Sequence, residues 1–164
     1  MPNIFTILNI LGILLVFTAG MLLFPLAIAV YFKEGDINAI SLSILIGFVI
    51  GMLLWRGFKK QRGAKKKDGF IIVTLGWVVI SSLSALPFMI HGSIPSFTDA
   101  FFEVMSGYTT TGATILTDIE KLPHGLLLWR SMTHFIGGMG IIMLALIIIS
   151  LPGMGNTQLY QAEG

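Results

Sequence analysis

The residues best suited to chemistry in this 164-residue sequence form one short run, Tyr108-Thr109-Thr110-Thr111-Gly112-Ala113-Thr114. Four threonines and a glycine are poor helix material. As an extended strand, the run offers carbonyls that can replace an ion's hydration shell and hydroxyls that add further oxygens. Glycine adds backbone angles that a Cβ would forbid. Read alone, the run is only a polar turn, so its meaning depends on the elements that position it.

Immediately upstream, Pro95-Ser96-Phe97-Thr98-Asp99 reads as a helix start. Ser96 stands three residues before Asp99 as in a capping box, and Asp99 suits the positive N-terminal end. Phe97, Phe101, Val104, Met105 and Tyr108 then recur at helical spacing, and Gly107 closes a helix of about three turns. Such a helix is more than a surface loop needs and less than a membrane crossing requires, which reads as a re-entrant segment. Its negative end favours a cation at the Thr/Gly run.

The surroundings are lipid by composition. Apolar residues make up 55% of the chain and charged ones 11%. Ile4–Phe32, Ile37–Trp55 and Phe70–Ile90 are long enough to cross a hydrocarbon core, as is Leu126–Leu151, interrupted only by Arg130 and His134. No period-two alternation supports a barrel, so the spans are helices. Cysteine is absent, which excludes disulfides, thiolate metal sites and cysteine nucleophiles. The first span lacks a basic n-region and is read as retained. Seven of the ten Lys and Arg residues lie between Arg56 and Lys67. That loop is therefore cytoplasmic, both termini of this segment share its side, and 91–125 faces outside. The same cluster suits anionic lipid headgroups, and nothing in it is patterned for nucleic acid.

The expected fold is all-α transmembrane: a leading two-helix hairpin, then one span, re-entrant pore helix, filter strand and span. The divisions are 1–58 for the N-terminal hairpin, 59–69 for the basic loop, 70–152 for the pore repeat and 153–164 for a cytoplasmic tail or linker. Within the repeat, the spans are 70–90 and 126–151, the pore helix 97–107 and the filter 109–114. The hairpin shows Pro25 in its first span and a Gly47-x-x-x-Gly51 pair suited to close helix approach, and no chemistry is assigned to it. Span, short helix, Thr/Gly strand and span together make a potassium-channel pore unit.

The run Asp99 to Thr114, DAFFEVMSGYTTTGAT, followed by Leu128 to Ile141, LWRSMTHFIGGMGI, resembles the first pore repeat of the Trk/Ktr superfamily of bacterial potassium-uptake membrane subunits. The resemblance extends over essentially the whole chain. It implies transport of K+ across the bacterial plasma membrane by a multi-pass subunit, with K+ as cargo and no organic cofactor. The filter would be Thr110, Thr111, Gly112 and Ala113 with Thr109 at its inner mouth, and potassium would sit at Thr110, Thr111 and Gly112. Members carry four such repeats, form homodimers and bind a cytosolic nucleotide-binding regulatory subunit. The implied partners are therefore the remaining repeats, a second copy, that subunit and membrane lipid. One repeat cannot encircle an ion, so this chain reads as a quarter of a pore, with a homotetramer as the alternative. The Gly137-Gly138-Met139-Gly140 cluster implies an inner helix that packs tightly or bends.

Arg130 and His134 share one face of the last span. Arg130 pairs with an acid of the pore helix, Glu103 by position, and supports the filter from behind; snorkelling to the interface is the plainer account. His91 and His124 read as solvated outer-loop residues, and no spacing suits zinc. Asp118 and Glu120 read as solvated acids, or as a means of concentrating cations at the mouth. A membrane enzyme would need a convergent nucleophile, base or metal set, and none is found. A non-conducting assembly protein whose short helix is structural is the competing class. For the topology, a cysteine placed within 59–67 is expected to react with impermeant thiol reagents only after the cell is opened. Labelling from outside intact cells would invert the orientation.

Overall fold

The computed structural model describes residues 3–58 and 66–150, and all regular structure among them is helical. Most of the basic loop 59–69, and the whole tail 153–164, lie outside the described residues. Helices α1 (Ile4–Met21) and α2 (Leu23–Phe32) form one 29-residue apolar span. Asn3 caps it, accepting from the Thr6 amide at 3.3 Å. The break at Leu22 follows from Pro25, which has no N–H to return to the carbonyl of Met21. After α2 the chain reverses through Lys33 (φ 57) and Gly35 (φ 94), both left-handed.

The remaining helices are α3 (Ile37–Gly57), α4 (Lys66–His91), α5 (Phe97–Tyr108) and α6 (His124–Ser150), with a 3₁₀ turn at Ile119–Lys121. Three spans, 4–32, 37–57 and 68–91, are long and apolar enough to cross a membrane. Helix α6 runs unbroken for 27 residues.

Glycine sets the spacing of the leading hairpin. A Cβ on Gly12 would lie 2.5 Å from the Trp55 nitrogen and 2.7 Å from the Gly51 carbonyl oxygen. One on Gly51 would lie 2.9 Å from the Gly12 oxygen. The two backbones therefore meet where both lack side chains, as close helix association in lipid requires. Gly47 receives Leu83 of α4, whose Cδ2 would stand 2.6 Å from an added Cβ. Asn9, buried in the same contact, donates to the Trp55 and Phe58 carbonyls at 2.6 Å each and so satisfies the last turn of α3.

A buried core around Trp129 joins α4, α5 and α6. Trp129 is fully buried, and its indole nitrogen donates to the Ser84 carbonyl at 3.0 Å. The Ser84 hydroxyl lies 2.8 Å from the Tyr108 hydroxyl. Phe88, Val104 and Leu126 pack in the same cluster, and the side-chain polar atoms of Trp129, Ser84 and Tyr108 have partners inside it.

Overpacking the glycine crossing should be severe. Gly12→Leu or Gly51→Leu is expected to cut the yield of folded, detergent-stable full-length protein by most of its value. Gly20→Ala, with open space at its Cβ, should leave that yield unchanged. Size-exclusion profiles of membrane extracts check this.

Candidate functional site

Helix α5 is set by its ends. Ser96 is its N-cap, in extended conformation, with its hydroxyl accepting from the Asp99 amide at 3.5 Å. The helix runs one residue past Gly107, to Tyr108. Gly107 serves contact instead: an added Cβ would overlap the Thr133 hydroxyl and lie 3.2 Å from His134 Nδ1 on α6. Gly137 lies one turn further along α6, where an added Cβ would press into the backbone of Tyr108, 2.6 Å from its carbonyl carbon. In the glycine cluster, then, Gly137 is a packing surface and the helix does not break there. A Cβ built on Gly138 would stand 3.8 Å from Thr110 Cγ2, and one on Gly140 would stand 3.6 Å from the Trp77 ring.

The Thr/Gly run leaves α5 with its amides folded back. The amides of Thr109 and Thr110 donate to the Met105 and Gly107 carbonyls, both at 2.9 Å. Those of Thr111 and Gly112 donate to the Ser106 carbonyl at 3.0 and 3.4 Å. The run from Thr111 to Leu116 belongs to no helix and pairs with no neighbouring strand. Gly112 has φ +75 with nothing within 4 Å of a built Cβ, so glycine is needed there for its angle rather than for space. Thr110 is also left-handed, at φ 55, a position β-branched residues seldom occupy. Ala113 differs from its neighbours, because its carbonyl accepts from the Ser106 hydroxyl at 2.6 Å. Thr109 and Thr111 hydroxyls lie 2.9 Å apart, and all five residues from Thr109 to Ala113 are exposed.

Behind the run sits Glu103, 1% exposed. Arg130 Nε donates to its Oε1 at 2.7 Å, the Thr114 hydroxyl to both oxygens at 2.9 Å, and the Ile115 amide to Oε2 at 3.0 Å. One carboxylate thus ties α5, the end of the Thr/Gly run and α6 together. Charge-assisted bonds of this length are the strong ones, and losing one partner of a buried pair costs about 3–5 kcal/mol. His134 Nδ1 donates to the Arg130 carbonyl at 3.0 Å, within α6.

Both histidines expected in outer loops lie at helix ends, and His124 is exposed as expected. His91 is the last residue of α4, and its Nδ1 is buried without a partner among the described residues. His124 opens α6, its amide donating to Glu34 Oε2 at 2.7 Å and its ring stacking on Phe32 at 4.0 Å. Hydrogen bonds from the His124 amide first, and from its ring second, hold the Glu34 carboxyl below the usual carboxylate range. The only sequence signals for this contact are the residue types, since its partners lie 90 positions apart. Asp118 pairs with Lys121 at 3.0 Å on the surface, and Glu120 is exposed. No group of three His, Cys, Asp or Glu side chains among the described residues could hold a metal ion.

The model of the family TrkH, cation transport protein, matches residues 36–164. The Trk system potassium uptake protein TrkH of Escherichia coli K12 is 42% identical over 157 residues, which cover 94% of this chain and 32% of that protein. TrkG of the same strain is 40% identical over 141 residues, covering 85% of this chain and 29% of its own length. The crystal structure of the potassium transporter TrkH from Vibrio parahaemolyticus superposes with a TM-score of 0.84 at 35% identity, over 98% of this chain and 35% of that one. These relatives are named as transport proteins, not enzymes, and the chain spans about a third of their length. With the family match covering most of its residues, this chain belongs to the TrkH family of cation transport proteins.

Proposed function

We propose that this multi-pass membrane chain supplies one quarter of a potassium pathway. Residues 1–58 form the flanking hairpin, 59–69 the cytoplasmic basic loop, 70–152 the pore repeat and 153–164 a cytoplasmic tail or linker to a second repeat. In this reading α5 re-enters the membrane from outside, and Thr109 to Ala113 form a filter segment in the plasma membrane with both termini of this segment cytoplasmic. The matches to Trk potassium uptake proteins support K+ as cargo. The resemblance also supports three further repeats of the same protein, a homodimer and a cytosolic nucleotide-binding subunit as partners.

The observation that carries the reading is the direction of the backbone. With the amides of Thr109 to Gly112 spent on the last carbonyls of α5, the carbonyls of Thr110, Thr111 and Gly112 remain free of the helix. Alternating left-handed angles at Thr110 and Gly112 are what a run needs for successive carbonyls to face one axis. Ala113 and Thr109 contribute least in this scheme, because the hydroxyls of Ser106 and Thr110 already engage their carbonyls. Glu103 and Arg130 act as support from behind, and catalysis has no role.

Gly112→Ser in the full-length protein forces a Cβ into a left-handed angle, at a cost of about 1–2 kcal/mol. It should reduce discrimination between potassium and sodium by roughly tenfold at undiminished membrane abundance. Thr109→Ser keeps the hydroxyl and should be much milder. Uptake in potassium- and sodium-limited media, with abundance measured in parallel, decides it. Unchanged selectivity in well-inserted Gly112→Ser protein would leave the Thr/Gly run a polar turn.

A further inference from the structure

The sequence assigns no chemistry to the leading hairpin, yet its outer turn carries two acids that meet the start of α6. Glu34 accepts the first amide of α6, from His124, at 2.7 Å, and its Oε1 lies 2.8 Å from the His124 ring nitrogen. The imidazole stacks on Phe32 with planes 4° apart, so the contact has a fixed orientation. The next residue, Gly125, faces Asp36. A Cβ there would overlap Asp36 Oδ2 and stand 2.9 Å from Ala29 Cβ. Asp36 is fully buried, and neither of its carboxylate oxygens has a hydrogen-bond partner among the described residues.

A buried carboxylate without a partner is costly. The field at a helix N-terminus, where the first amides have no intrahelical acceptor, is one of the few things that offsets it. Asp36 lies against that end of α6, and Glu34 occupies its first amide. Glu34 thus bonds the start of α6 while Asp36, the N-cap residue of α3, packs against it, and the left-handed angles at Lys33 and Gly35 shape the turn between α2 and α3. Arg130 follows His124 by six residues, roughly 9 Å along the helix. A 2.7 Å bond from Arg130 to Glu103 tolerates little sliding of α6.

Resting on the filter reading of Thr109 to Ala113, we infer that the Glu34–Asp36 turn is an outer clamp on α6, making both acids positioning residues for the ion pathway. The clamp reaches the filter through Arg130 and Glu103 and touches no ion itself. It also gives the peripheral hairpin a role in transport beyond filling the membrane.

The test uses the full-length protein with potassium and sodium uptake measured at matched membrane abundance. Glu34→Ala removes the acceptor, and Gly125→Ala drives a methyl into Asp36. Each is expected to weaken potassium-over-sodium discrimination by roughly two- to fivefold. Glu34→Gln, which still accepts from the His124 amide, should retain most of it. Adding Glu34→Ala to Arg130→Gln should cost little more than Arg130→Gln alone, because both act through one bond. A merely structural turn would lower abundance while selectivity per molecule stayed constant, or its effect would add fully to that of Arg130→Gln; either result overturns the clamp. Gly112→Ser, run alongside, separates the failures. If it alters selectivity while Glu34→Ala and Gly125→Ala do not, the clamp is wrong. If it too changes nothing, the filter reading falls and the clamp with it.

Discussion

Withdrawing a carboxylate from water is costly, and at Glu103 donors from three directions offset that cost: the guanidinium of Arg130, the hydroxyl of Thr114 and the amide of Ile115. Because those donors belong to α6 and to the end of the Thr/Gly run, satisfying one buried charge fixes three pieces of chain against each other. Nothing softer would do so here. Apolar contact between helices in lipid has no hydrophobic driving force to set register, so polar bonds and close backbone approach carry that burden. The same logic recurs at the Trp129, Ser84 and Tyr108 bonds and where Gly137 meets the Tyr108 backbone.

The helices are legible in the sequence because hydropathy alone dictates them. The span predicted at Ile4–Phe32 matches the observed one, and those at Ile37–Trp55 and Phe70–Ile90 differ from the observed ones by one or two residues at their ends. Helix α5 is legible for a different reason: Ser96 and Asp99 announce its start, and its apolar spacing is too short for a crossing. Glycine in a membrane helix is ambiguous, and the four-residue spacing points to Gly47 and Gly51 without Gly12, the residue that lets α1 meet Gly51. No local pattern reveals which glycine of one helix faces which of another.

At the candidate site, residue types are readable and conformations are not. Gly112 announces a left-handed angle, whereas a left-handed Thr110 contradicts the propensity of its own side chain and is imposed by the turn out of α5. The Ser106 hydroxyl, which engages Ala113, looks from sequence like one more small polar residue in a helix. His124 reads as an ordinary loop residue because solvation is the default for polar groups outside the membrane. Its pairing with Glu34 depends on how the hairpin folds back over α6, which only tertiary structure specifies.

If the buried charge pair holds the filter, the two residues must behave as a pair. Removing one charge leaves the other buried and uncompensated, while neutralising both leaves two amides that can hydrogen-bond. Potassium-over-sodium selectivity and abundance should therefore be measured for Glu103→Gln, Arg130→Gln and the double variant in the full-length protein. Each single change is predicted to impair both properties, and the double variant to recover part of the loss. Losses that simply add, or single variants with unimpaired selectivity, would contradict a filter held by this pair.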